Sequence, residues 1–423
     1  MIIKLPYGKG HEQVEVPEGH LAGVLLSKAH EFVAQKSEAE LVRDALANPI
    51  NSPRLGELAK GKKNIVIISS DHTRPVPSHV IMPILLEELR AANPQAQVTI
   101  LVATGFHRAT TDAELRAKYG DDIVDNVKIH IHDSMNDEMV DMGLLPSGGK
   151  FILNKVAADA DLLIGEGFIE PHFFAGFSGG RKSVLPGVVS YRTVLANHCA
   201  QFIGSPHART GVLEDNPLHR DMLHAAKVAN LGFIINVVIN ADKKIIKAFA
   251  GHREDAHLEG CEFVRELAGV KRVEADIAVT TNGGYPLDQN IYQAVKGMTA
   301  AEATVKEGGV IIIAAACSDG HGGQAFFDTF NNASGPREVM DSIVKTPMDQ
   351  TIPDQWESQI LARILLRHKV IMVTGAPREM VEAMHMHYAK DMEEAMDMAR
   401  GMVGRDDYKV TVIPDGVSVI VVP

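Results

Sequence analysis

The chain is poor in cysteine: Cys199, Cys261 and Cys317 are the only three in 423 residues. Their wide spacing gives neither a disulfide framework nor a paired-thiolate metal motif, so a reducing compartment is expected. No run approaches the roughly 18 apolar residues of a membrane span. The opening stretch MIIKLPYGKGHEQVEVPEG (1–19) has no apolar signal core. These two absences predict a cytoplasmic chain with no membrane partner. Basic charge is also in deficit, with 42 Lys and Arg against 54 Asp and Glu and a net charge of −12. That balance argues against a nucleic-acid partner, which wants a basic face, and leaves room for a small anion held by local basic groups. Two phosphate-binding signatures are missing as well. Gly165-Glu166-Gly167 lacks the third glycine of a dinucleotide-binding turn, and in AGFSGGRKS (175–183) Arg181 stands where a P-loop needs its last glycine.

What is present is an α/β rhythm. Hydrophobic content of 45% and charged content of 23% are those of an ordinary globular protein, and the length calls for two domains. Apolar runs at 63–71, 97–104, 127–133 and 160–169 read as buried strands, with helical patterns at 78–92 and near 111–119. Residues 231–251 read as an antiparallel hairpin turning at Asn240-Ala241-Asp242, followed by a polar helix at 252–269. A second series has strands at 275–282, 308–318 and 369–376. The methionine-rich stretch 380–402 has the spacing of core-facing helices rather than of a soft-metal site. The expected fold is therefore α/β, with two α/β domains, mainly parallel sheets and a cleft between them. The first domain is placed at 1–270 and the second at 271–404, with the two short strands of 405–423 able to complete either sheet.

The unusual polar residues fall just after these strands. Asp71, His72 and Arg74 follow the first, Thr104, His107 and Arg108 the second, and Glu170, His172 and a glycine-rich loop the fourth. In the second half, Asn282, Asp288, Gln289, Gln293 and Lys296 follow 275–282, while Asp319 and His321 follow 308–318. Open α/β sheets bind ligands outside the carboxyl ends of their strands, so one site between the domains is the expectation. The segment 165–199 is the densest, setting His172, Arg181, Lys182 and His198 beside Gly176, Gly179 and Gly180. Imidazoles and an amine next to backbone that a ligand can approach closely suit a cofactor or metal site.

Five strings, SSDHTRPVP (69–77), ATGFHR (103–108), EPHFFAGFSGGRKSVLPG (170–187), Asn197-His198 and GYPLDQNIYQAVKGM (284–298), together resemble the nickel-dependent lactate racemase family. They occur in order over most of the chain. The resemblance implies a racemase or epimerase that inverts C2 of a 2-hydroxy acid, lactate first. Its cofactor would be nickel in a pyridinium-3-thioamide-5-thiocarboxylic acid mononucleotide, tethered through Lys182 and supplied by cofactor-maturation proteins. It further implies His198 as the nickel ligand and His107 and His172 as acid/base catalysts. Asp71, Gly176, Ser178, Gly179 and Gly180 would lie about the cofactor, and Arg74, Gln293 and Lys296 about the substrate.

The chemistry explains these residue types. The Cα–H of a 2-hydroxy acid is a very weak acid, whereas loss of hydride gives a planar keto acid that can take hydride back on either face. A base for the hydroxyl proton of each enantiomer then calls for two histidines. Arg74 can hold the carboxylate. Cys199 reads as a small buried residue, and His72, His132 and His321 as outer neighbours at most. Tyr285, Pro286, Leu287, Tyr292 and Val295 are candidate determinants of the substrate side chain. Three alternatives stay open: the same chemistry on a larger or more polar acid such as a sugar acid or malate, a non-catalytic carrier of the nickel cofactor, and a Schiff-base enzyme built on Lys182.

Overall fold

The computed structural model describes residues 1–423, apart from the side chain of His30. Two six-stranded sheets organise it. The first runs, edge to edge, Ile245–Gly251, Leu231–Ile239, Leu162–Phe168, Asn64–Ser70, Gln97–Ala103 and Lys128–Ile131. All its pairs are parallel except the expected hairpin of Leu231–Ile239 with Ile245–Gly251. Ile65, Val66, Ile67 and Ile68 are fully buried, as strands covered on both faces must be. The second sheet is wholly parallel, in the order His387–Ala389, Lys369–Val373, Val305–Ala314, Ala275–Thr281, Val410–Ile413 and Leu21–Val24.

The chain ends correct the reading by chain order. Val410–Ile413 is buried on both faces and registers Val410 to Ile413 against Ile277 to Thr280, so the first strand of 405–423 belongs to the second sheet, not the first. Ile420–Val422 pairs in parallel with Gly269–Lys271. The opening hairpin, Ile2–Tyr7 with Gly10–Glu15, buries Leu5 and Val14 in the second sheet's core, and Leu21–Val24 forms its edge. A boundary at 270 therefore misassigns the first residues, because apolar complementarity rather than chain order decides which sheet they cover. In 378–403 a strand, His387–Ala389, separates the helices Arg378–Ala383 and Met392–Val403. Met384, Met386, Met392 and Met396 are buried as expected.

Each sheet reverses its winding once. From Asn64–Ser70 the chain moves outward through Gln97–Ala103, then returns to place Leu162–Phe168 on the other side. Ala275–Thr281 is flanked in the same way by Val305–Ala314 and Val410–Ile413. Such switch points leave crevices at the strands' carboxyl ends. Here the crevices face each other: Asp415, past the end of Val410–Ile413, acts on the Glu170 carboxyl past the end of Leu162–Phe168. One continuous apolar core joins the halves, running from Val66 and Leu101 to Ala278 and Ile311. The helix Gln355–Arg367 is tied across it by Gln359 Nε2, which donates to Ala200 O at 2.8 Å.

Candidate active site

The glycine-rich loop is built around a buried guanidinium. Arg181 is 1% exposed. It donates to the carbonyls of Phe177 and Ala175 at 2.8 Å each, and its Nη1 lies 3.2 Å from Gly179 O. Its Nε donates to His219 Nδ1, and Nη1 sits 3.0 Å from His257 Nε2. Burial lowers the Arg181 guanidinium to about 10. Gly179 and Gly180 have positive φ, and a Cβ would lie 2.7 Å from Phe168 O at the first and 2.6 Å from the His257 ring at the second. Gly176 is equally constrained, 2.4 Å from Val212 O. Ser178 closes the loop's neck, its hydroxyl accepting from Glu170 N and its N–H donating to Glu170 O. The glycines therefore serve the loop's tight folding as much as any ligand.

That loop presents Lys182 to His172, with Nζ 3.1 Å from Nε2. Ala175 N–H donates to His172 Nδ1 at 3.3 Å, which leaves the ring proton on Nε2 and asks Lys182 to accept it as a neutral amine. The electrostatics agree. Burial, then Arg181 and Arg74, hold the amine well below the usual lysine range, and burial, then Lys182, Lys296 and Arg74, hold the imidazole down. A neutral amine is a nucleophile. His198 is buried at the C-cap of Tyr191–Asn197, and its Nδ1 donates to Val194 O at 3.0 Å. Its Nε2 lone pair is thereby free for a metal. Burial, then Lys182, lowers this imidazole to about 3. Phe174 and Trp356 meet the His198 ring edge-on, at 5.3 and 5.0 Å.

Asp71 is 2% exposed and accepts from His107 Nδ1 at 2.7 Å and from Thr73 Oγ1 at 2.6 Å. Burial pushes this carboxyl up, but the His107 and Thr73 hydrogen bonds and the Arg74 charge outweigh it and hold it below its usual range. His107 is half-exposed, with Nδ1 spoken for and Nε2 turned outward. Arg74 donates to Thr73 Oγ1 at 3.0 Å. From the second half, Lys296 hydrogen-bonds to Gln293 and stands 5.8 Å from the Phe173 ring, which stacks on His172. The structure thus gathers Arg74, His172, Lys182, His198 and Lys296, while Asp71 serves His107.

Other sequence candidates have local duties. His72 pairs with Thr110, and buried His132 with Val189 O and Asn154; His321 accepts from Gly323 N–H. Cys199 is buried. Tyr285 and Leu287 are exposed, Val295 lies in the core, and the Tyr292 hydroxyl is bound to Asp354. The walls beside the histidines are instead Phe173, Phe174 and Trp356. Trp356 and its neighbour Glu357 lie on a helix whose sequence reads only as amphipathic, so no local motif marks them. Among the described residues no group of three or more His, Cys, Asp or Glu is placed to hold a metal ion, which leaves His198 as a lone imidazole donor.

A family model for the lactate racemase N-terminal domain matches residues 7–211, and one for the lactate racemase C-terminal domain matches 270–421. The chain is 59% identical over 421 residues to a lactate racemase of Thermoanaerobacterium thermosaccharolyticum and 58% identical over 421 to one of Lactiplantibacillus plantarum, covering 99% of each chain in both comparisons. Among solved structures, the lactate racemase apoprotein of T. thermosaccharolyticum matches with a TM-score of 0.97 at 58% identity over 100% of both chains. A Thermotoga maritima protein shares the fold alone, with a TM-score of 0.65 at 18% identity over 91% of this chain and 98% of that one.

Two outcomes follow from the buried loop. Arg181→Met strands several buried carbonyls, each costing about 1–3 kcal/mol, so chemical denaturation should show a loss on the order of 3 kcal/mol or more. A variant as stable as the parent would refute the loop's dependence on Arg181. Burial, then Arg181, pushes His219 down to about 3, against about 6.5 in an unfolded chain. The unfolded chain then takes a proton the folded chain refuses, so stability is complete above about pH 6.5 and falls toward pH 3. His219→Gln should make that fall shallower in thermal melts, and an unchanged slope contradicts it.

Proposed function

Because the chain belongs to the lactate racemase family and is an isomerase, we propose that it interconverts the enantiomers of lactate with a nickel-pincer mononucleotide tethered to Lys182. The observation that carries this is a neutral amine at Lys182, held against His172, in the same site as His198, whose Nε2 is free. The residues fit the group. Lys182 can bond covalently to an acyl carbon, and His198 supplies one imidazole to nickel, the softer positions being filled by the cofactor's own sulfurs. When bound, this cofactor supplies an electrophilic carbon that accepts and returns a hydride.

The chain's own groups do the rest. Arg74 and Lys296 hold the substrate carboxylate, drawing on a cleft whose cations lack enough counter-charge. His107, oriented by Asp71, offers Nε2 to the hydroxyl proton of one enantiomer. His172, kept neutral by burial and its cationic neighbours, serves the other enantiomer once the tether replaces the amine that its Nε2 proton meets and the ring takes its other tautomer. Phe173, Phe174 and Trp356 make the walls near the histidines aromatic. A methyl substituent suits such a surface better than a hydroxylated or charged side chain, which favours lactate over sugar acids and malate.

We take the first sheet with its helices as the domain bearing the tether and histidines, and the second sheet as the domain that closes the site. In cofactor-loaded protein, His107→Ala and His172→Ala should each lose at least about a hundredfold in racemisation while retaining nickel. Full activity in either variant rejects its acid/base role, and activity absent from the parent would leave a cofactor carrier. His198→Ala should surrender nickel faster to a chelator, and unchanged retention refutes ligation.

A further inference from the structure

Two helices from the second half meet at the cleft, Ile291–Glu302 and Gln355–Arg367. The Tyr292 hydroxyl donates to Asp354 Oδ1 at 2.9 Å, joining the start of one helix to the N-cap of the other. Trp356 lies near the same hydroxyl and turns its ring edge to His198. The bond from Tyr292 to Asp354 sets the register between the helices. Lys296 is one turn beyond Tyr292 on the same face, and Glu357 is three residues beyond Asp354. Glu357 is 1% exposed, and its Oε1 is sealed from water with no hydrogen-bond partner. A buried carboxyl oxygen without a donor is costly and calls for a function.

We propose that Glu357 is a positioning residue that keeps the Lys296 amine charged, sustaining capture of the substrate carboxylate. The inference rests on the reading of Lys296 as a substrate-binding group. The charges facing Lys296 are Glu357 on the neighbouring helix and Arg74 and Glu170 from the first half; Gln293 and the Phe173 ring complete its surroundings. Glu357 faces Lys296, with Asp354 at its own helix start. Burial pushes the amine down, and Glu357 is the strongest charge pulling it back, against Arg74. Burial pushes the Glu357 carboxyl up, with Lys296 opposing. An ionised Glu357 opposes the loss of the Lys296 proton that burial promotes. Removing a neighbouring negative charge makes that loss easier, so the amine must titrate lower without Glu357.

The test uses competitive labelling of Lys296 with acetic anhydride against pH, read by peptide mass spectrometry, which needs neither cofactor nor turnover. Glu357→Gln, which keeps the shape and removes the charge, should lower the Lys296 midpoint by about one pH unit. Glu357→Asp, with the charge set back by one methylene, should fall between the two. In cofactor-loaded protein, Glu357→Gln should raise KM for lactate increasingly as pH rises, up to about tenfold, with kcat within about threefold, one pH unit being a factor of ten. A midpoint that stays or rises overturns the proposal. If Glu357→Gln does not fold, the Asp variant decides on the same criterion. Lys296→Met separates the two readings. If KM is unchanged in that variant, the substrate role of Lys296 fails. If KM rises there but the Glu357→Gln midpoint stays, Glu357 alone is rejected.

Discussion

Arg181 is buried beside the site with neutral partners, two imidazoles and several backbone carbonyls, spread around its planar fork. A guanidinium suits this task because its donors diverge in fixed directions and its charge is not readily lost. Each donor pins one part of the loop from Ala175 to Gly180, whose backbone passes through positive φ three times. That conformation puts the next residue, Lys182, against His172 in surroundings too dry to favour an ammonium. The proposed tethering chemistry thus depends on a neighbouring cation that is not itself part of it. Arg181 contributes both directly, as a repelling charge, and indirectly, by fixing where the amine sits.

The same charge logic runs through the cleft. Arg74 and Lys296 converge, beside the Lys182 amine, on a space in which Glu170 is the shared counter-charge. Gathering cations in low dielectric is unfavourable for the free protein and favourable for an anion that arrives. The proposed carboxylate substrate and the phosphate of the proposed nucleotide would both answer that field. Stability has been given up locally for binding, which fits the orphaned Glu357 oxygen and the depressed histidines beside it.

Much of this was legible in the sequence. Short apolar runs around 63–71, 97–104 and 275–282 marked buried parallel strands, and the reactive residues cluster after them because strand carboxyl ends open into the crevice. The pairing of His107 with Asp71 is not marked in the sequence, since a carboxylate before Thr73 can equally cap a turn. Its 2.7 Å hydrogen bond to His107 decides the matter, while Thr73 still binds its other oxygen. The sheet joined by Val410–Ile413 was not legible, because a four-residue apolar strand carries no mark of its partner. Trp356 and Glu357 were missed for a related reason: their roles come from a helix brought to the cleft by packing on Ala200–Ile203, a contact between residues far apart in sequence.

The central claim is that burial and neighbouring charge make Lys182 the attachment point of a nickel cofactor. Intact mass with peptide mapping and nickel analysis, on protein co-produced with cofactor-maturation proteins, tests it most directly. The account predicts a mononucleotide-sized adduct on the peptide bearing Lys182, with nickel near one per chain and no adduct when Lys182 is replaced by alanine. An unmodified mass without nickel, under maturation that loads a known lactate racemase, would contradict it.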